Sequence, residues 1–215
     1  RDITLEISRQ AKHILGLIYC DMIDLGCSTI NKLSRRSSMD SDYLKRKIDE
    51  FERLGLVELR DGGENIVLTQ LGRLSIKVVF TGGVFDIIHP GHIHTIKESK
   101  QFGDILVISV ARDKTATKMK GRNPINSESR RLELISSLRY VDLAILGSET
   151  NIFDTVVRVG PDIIALGYDQ DHTVKHIVDG VTKLNLEIDV VRLSSPIPDI
   201  KSSDLIKNDD ILKKI

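Results

Sequence analysis

The chain has no tryptophan, four tyrosines and five phenylalanines in 215 residues. Aromatics this scarce leave little to build a cage for a quaternary ammonium. Net charge is also missing: 31 Lys and Arg face 31 Asp and Glu, so there is no overall basic field of the kind that draws in nucleic acid. The two cysteines, Cys20 and Cys27, fit no CxxC or zinc spacing, which excludes a disulfide scaffold and reads as buried or loop thiols. No run of about 18 apolar residues is present, so no membrane-spanning helix is expected. The start shows no basic segment followed by an apolar core, which makes the cytoplasm the expected compartment and membrane contact unexpected. The chain opens at Arg1 rather than Met, so a missing native start is an expectation too. What remains is 40% hydrophobic and 29% charged, the composition of one large or two modest globular domains.

Two segments follow different rules. Residues 1–76 predict three helices and a hairpin. Ile14, Leu15, Leu17, Ile18 and Ile23 form an apolar stripe that stops at Gly26. A short helix over Cys27 to Arg35, capped by Ser28, comes next. Asp40 or Ser41 caps a third helix in which Leu44, Ile48 and Phe51 recur, with Gly55 as its stop. Leu56–Arg60 and Asn65–Leu68 flank the turn Asp61-Gly62-Gly63-Glu64. This order, with its tail Leu54 to Arg73, resembles a winged helix-turn-helix. That resemblance makes Arg35, Arg36, Tyr43, Lys45, Arg46 and Lys47 the candidates for DNA contact. The segment carries twelve cations and twelve acids, however, so a docking or dimerisation role stands beside DNA binding.

From Lys77 to residue 215 strands and helices alternate. Val78–Phe80, Asp104–Ala111, Asp142–Leu146, Asp162–Leu166 and Glu187–Val191 read as buried strands, separated by amphipathic stretches at 92–102, 127–139, 151–159 and 172–184. The expected class is α/β, a doubly wound parallel sheet with its ligand at the carboxyl ends of the strands.

Chemistry concentrates in Thr81-Gly82-Gly83-Val84-Phe85-Asp86-Ile87-Ile88-His89-Pro90-Gly91-His92, between the first of these strands and a helix. The glycines predict a close approach of ligand to backbone. Pro90 suits the first helical turn, whose free N–H groups and dipole predict an anion site. His89 and His92 are placed to donate to phosphate oxygens as charge grows there. Asp86 with the two histidines would make three metal ligands without a fourth, so no protein metal site is expected and a phosphate pocket fits better. His94 is expected to face away.

HPGH after "GGVFDII" resembles the HxGH signature of the cytidylyltransferase-like nucleotidyltransferases, over about 77–205. Many relatives have Thr where this chain has Val84, which removes one hydroxyl from the pocket. The resemblance implies nucleotide contacts from Thr81, Gly82, Gly83, Val84, Phe85, Asp86 and Gly91, with His89 and His92 catalytic. It assigns the phosphates to Lys118 and Lys120, read as lying on a basic loop, and to Arg130, or its neighbour Arg131. Asp169, Arg192, Ser202 and Ser203 complete the implied nucleotide set, and Asp113, Arg122 and Tyr168 the acceptor side.

The implied reaction moves NMP from an NTP to a phosphorylated acceptor, with Mg²⁺ held mainly by phosphate oxygens and pyrophosphate leaving. "ARDKTATKMKGRNP" with "LGYDQ" resembles archaeal-type FAD synthases, which favours ATP and FMN. CTP with glycerol-phosphate or a similar alcohol phosphate is the alternative. A nucleotide-sensing DNA-binding regulator is the reading from another class. Relatives imply a homodimer acting on small molecules.

Overall fold

The structure is a computed structural model that describes residues 7–167 and 174–194. The chain divides into two compact units, Arg1–Lys77 and Val78–Ile215.

The first unit opens with α1 (Arg9–Leu25), which Ser8 caps by accepting from the Ala11 N–H at 3.1 Å. α2 (Ile30–Ser37) starts later than expected, with Thr29 and not Ser28 as its cap. The reason is that the Ser28 hydroxyl is already committed, donating to buried Asp21 at 2.5 Å. Asp40 caps α3 (Ser41–Arg53), accepting from two backbone N–H groups, and the helix ends at Leu54 before left-handed Gly55. Then come β1 (Val57–Arg60) and β2 (Asn65–Leu68), an antiparallel hairpin, and the short α4 (Gln70–Leu74), which was not expected. Ser28 and Ile66 exchange backbone hydrogen bonds at 2.9 Å each, so the stretch between α1 and α2 borders the hairpin. Ile14, Ile18, Leu33, Leu44, Ile48, Phe51 and Ile66 fill the core.

Asp21, on the buried side of α1, also accepts from Arg36 Nη1. Burial is the largest influence on the Arg36 pKa and works to lower it, but the hydrogen bond to Asp21 together with the charge and hydrogen-bond effects of Asp21 and Cys20 outweighs it and leaves the pKa raised. The hairpin pair Arg60–Glu58 keeps the Glu58 carboxyl below its usual range by a hydrogen bond at 2.9 Å, but in full exposure.

The second unit is a five-stranded, all-parallel sheet. Its strands are β3 (Val78–Gly83), β4 (Ile105–Val110), β5 (Leu143–Leu146), β6 (Ile163–Leu166) and β7 (Asp189–Arg192), in the order β5-β4-β3-β6-β7. The chain moves outward from β3 through β4 to β5, then crosses back to β6 and β7. Direction reverses between β3 and β6, which opens a crevice at their carboxyl ends. The connecting helices are α5 (Pro90–Lys100), α6 (Asp113–Lys120), α7 (Glu128–Ser136), α8 (Ile152–Val159) and α9 (Val174–Lys183). Register puts Val79, Leu106 and Ile163 side by side on one face, where they share a core cluster with Ile96 of α5 and Ile135 of α7. At the other end of the strands, Asp162 accepts from the Val78 N–H at 2.6 Å and Asp142 from Leu106 N–H at 2.7 Å. Among the described residues no helix is long and apolar enough to cross a membrane.

Removing the Asp21 carboxylate strands a buried hydroxyl and a half-buried guanidinium. Asp21→Ala should lower the stability of the first unit by about 1–3 kcal/mol in urea denaturation, while Arg60→Ala, which breaks only the exposed pair, should leave the midpoint where it is.

Candidate active site

β3 carries the chain to the crevice and must turn sharply there. A Cβ on Gly82 would lie 3.2 Å from the Ser109 carbonyl oxygen, and one on Gly83 would lie 2.9 Å from the Phe85 ring. Both positions thus have protein atoms where a Cβ would lie, a demand for glycine that packing alone imposes. Phe85 turns with φ of +53°, a left-handed conformation that costs a bulky L-residue about 1–3 kcal/mol and persists only where its surroundings enforce it. Its ring is buried, lying over Gly83 and tilted against His92 with centroids 5.4 Å apart.

Asp86 follows, almost entirely buried. Its Oδ1 accepts from the backbone N–H groups of Ile125 (2.8 Å) and Asn126 (3.0 Å), and its Oδ2 accepts from Arg122 Nη1 (3.2 Å). Asn126 Nδ2 donates to the Asp86 carbonyl at 2.8 Å. The carboxylate therefore fastens the 121–127 connection to the end of β3. Asp86 is committed to the protein, and among the described residues no three His, Cys, Asp or Glu side chains are grouped to hold a metal ion.

His89 is the N-cap of α5. Its Nδ1 accepts from the Gly91 N–H at 3.2 Å, which leaves the proton of a neutral ring on Nε2. Two more first-turn donors, the His92 and Ile93 N–H groups, turn back to the His89 carbonyl at 3.0 and 3.3 Å, and Pro90 has none. The expected cradle of free N–H groups is thus absent, because the cap uses them. What the terminus offers an anion is its dipole and the two imidazoles, whose centroids are 4.0 Å apart. His94 pairs with Glu98 at 3.1 Å along α5, and Glu98 also accepts from the Ser194 hydroxyl at 3.3 Å, beyond the end of β7. Thr81, one residue before the glycines, is buried with its Oγ1 unbonded among the described residues.

Lys118 and Lys120 do not lie on a loop. Both sit in the last turn of α6, exposed, before left-handed Gly121; cations there complement the helix dipole as well as facing solvent. The helix begins at Asp113, whose N–H donates to Glu128 Oε2 at 2.7 Å; Glu128 Oε1 also receives Arg112 at 3.1 Å. Of the two arginines expected near the phosphates, Arg130 is exposed and Arg131 is fully buried. The Arg131 guanidinium donates from Nη1 to the Val84 carbonyl (2.6 Å), from Nη2 to Asp113 Oδ1 (2.7 Å) and from Nε to the Asn126 carbonyl (3.0 Å). Arg192, at the end of β7, donates to the Gly167 carbonyl at 2.8 Å and so holds the exit of β6. Tyr168, Asp169, Ser202 and Ser203 lie outside the described residues.

The cytidylyltransferase-like family matches residues 80–208, from the third residue of β3 onward and through the HPGH turn. The chain belongs to that family. Its chemistry is accordingly nucleotidyl transfer. FAD synthase of Thermococcus sibiricus is 45% identical over 138 residues, covering 64% of this chain and 90% of the relative. FAD synthase of Thermoplasma volcanium is 48% identical over 132 residues, covering 61% and 92%. A crystal structure described as a lipopolysaccharide core biosynthesis protein from Thermoplasma volcanium superposes with a TM-score of 0.55 at 48% identity, covering 57% of this chain and 99% of that one.

Sequence reasoning missed Asn126, Glu128 and Arg112, which brace this member of the family from outside the HPGH turn. The signal for the inward side of α7 was present: Leu132, Ile135 and Leu138 mark a stripe that, carried one turn back, reaches Glu128 and Arg131. On the first unit, Arg36 is exposed with its guanidinium engaged by Asp21. Lys47 pairs with Glu50 at 2.7 Å and has its pKa raised by that hydrogen bond, Lys45 lies 3.5 Å from Asp42, and Tyr43 donates to Gln10 at 2.9 Å; Arg35 and Arg46 are exposed.

Gly83→Ala drives a methyl into the Phe85 ring. It should cost about 1–3 kcal/mol of stability by thermal melting and lower nucleotidyl transfer, whereas Gly121→Ala, with open space around its Cβ, should leave transfer intact despite its positive φ.

Proposed function

We propose that this chain is an FAD synthase, transferring AMP from ATP to FMN. The observation that carries this reading is the similarity to seven FAD synthases, 40–48% identical over 90–95% of their length, together with the HPGH turn at the switch point of the sheet. A phosphate oxygen of FMN attacks the α-phosphorus of ATP in line; the bond from that phosphorus to the bridging oxygen breaks, and pyrophosphate leaves with the electron pair. His89 and His92 donate to the phosphate oxygens on which charge grows, and the α5 dipole adds to their effect. Lys118, Lys120 and Arg122 gather the triphosphate electrostatically. No covalent intermediate is needed, so catalysis consists of placement and charge stabilisation. Mg²⁺ would be held by phosphate oxygens and water rather than by a protein cage, and would supply charge neutralisation to the triphosphate.

A second reading keeps its place because aromatic residues make up 4% of the chain, a thin supply for stacking a flavin ring. In it, CTP and an alcohol phosphate replace ATP and FMN. Pyrophosphate release with Mg²⁺ distinguishes the two, with ATP or CTP offered against FMN, glycerol-phosphate and a sugar phosphate. Release with ATP and FMN alone is expected. Release confined to CTP and an alcohol phosphate would replace this assignment, and tight nucleotide binding without release from any pair would point to a nucleotide sensor. His92→Ala should lower kcat on the active pair about 10²–10³-fold.

For the first unit we favour a winged helix-turn-helix that makes protein contacts. Support comes from the α2–α3 pair, the hairpin and the Ser28–Ile66 bridge, and from the acids interleaved with Lys45 and Lys47 on α3. A mobility shift on duplex DNA at low salt is the test: no shift is expected at protein concentrations of about 10 µM, where even non-specific binders associate.

A further inference from the structure

We infer that Arg131 is a positioning residue that holds the histidine turn and the lysine-bearing helix in register with each other; this rests on the nucleotidyl-transfer reading of the site. Its side chain is wholly excluded from solvent, so it is not a group on which a phosphate rests. Its three hydrogen bonds go to three separate segments, and each segment borders the carboxyl edge of the sheet.

The first bond fixes the Val84 carbonyl at 2.6 Å. That carbonyl belongs to the peptide unit leading into Phe85, so holding it holds the plane about which the +53° φ is defined. The left-handed turn in its turn sets the Phe85 ring on Gly83 and against His92. The second bond reaches Asp113 at 2.7 Å, the first residue of α6, whose last turn carries Lys118 and Lys120. The third reaches the Asn126 carbonyl at 3.0 Å, in the connection that Asp86 fastens by its neighbouring N–H groups. An arginine buried for stability alone needs acceptors of any origin. These acceptors are one from the histidine turn, one from the lysine helix and one from the strap between them. A flat guanidinium with its five donors in a fixed fork is the side chain that can fix all three at once, which a lysine ammonium cannot.

Asp113 gives the test a second handle, because its side chain is 45% exposed and its loss need not disturb packing. Arg131→Met, Asp113→Asn and the double variant are compared on pyrophosphate release, per folded molecule, with the nucleotide and acceptor that the unaltered chain uses best. ATP affinity is measured separately at equilibrium. Arg131→Met should lower kcat on the order of 100-fold, the scale of a small misplacement of reacting groups, with ATP affinity held within about threefold. Asp113→Asn should lower kcat about tenfold, and the double variant should fall no further than Arg131→Met, since both changes act through one bond. The imidazole proton resonances of His92 should move in both single variants, while those of His13 and His176 stay in place.

Unchanged kcat per folded molecule with an unmoved His92 resonance would reduce Arg131 to a core residue. Loss of ATP affinity in parallel with kcat would place the guanidinium on the phosphates and overturn the inference equally. If Arg131→Met does not fold, Asp113→Asn decides by the same two readouts. If no nucleotide and acceptor pair is turned over by the unaltered chain, the proposed reaction fails, and the His92 resonances together with nucleotide affinity still decide the role of Arg131.

Discussion

A charge taken out of water must find partners inside the protein or forfeit several kcal/mol. At the carboxyl edge of this sheet two charges meet that requirement in the same way, by taking backbone groups from neighbouring loops. Asp86 collects N–H groups from Ile125 and Asn126, and Arg131 collects carbonyls from Val84 and Asn126. One accepts and the other donates, and both close on the same short connection. Segments that would otherwise run freely over the crevice are fixed by groups lying beneath them. Lys118 and Lys120 are exposed and ride on that frame, whereas Arg122, only partly exposed, joins it through Asp86.

The sheet divides its work between its two ends. At the amino ends, aspartates staple one strand to the next: Asp142 receives the Leu106 N–H together with Lys100, and Asp162 receives the Val78 N–H. At the carboxyl ends, backbone groups are occupied by long-range side-chain bonds that shape a turn and two helix starts. Reversal of strand order beside β3 decides where these meet, and the HPGH turn lies there.

Much of this was legible in the residues. The five strands, four of the five helices that connect them, the three helices and hairpin of the first unit and the place of the histidines follow from apolar runs and turn residues, whereas α4 and α6 do not. Less legible was everything that depends on a partner far away in the chain. Ser28 has the right chemistry for a cap, but Asp21 claims its hydroxyl, and the cap falls to Thr29. Residues 118–122 look like a basic loop because their charges mask the helix that Asp113 begins. Arg130 and Arg131 are chemically equal; helical phase alone turns one outward and the other into the core. The left-handed Phe85 has no local signature, since Gly83, which makes room for its ring, reads equally well as room for a ligand.

That turn also bears on how the protein can change over generations. From Gly82 to Asp86 each residue is answered by another: a backbone carbonyl, an aromatic ring, a guanidinium, two amides. Variation there needs a second change before the first is tolerated, so the stretch is closed to one-step search. Met119 and Ile125 are exposed and carry no such obligations.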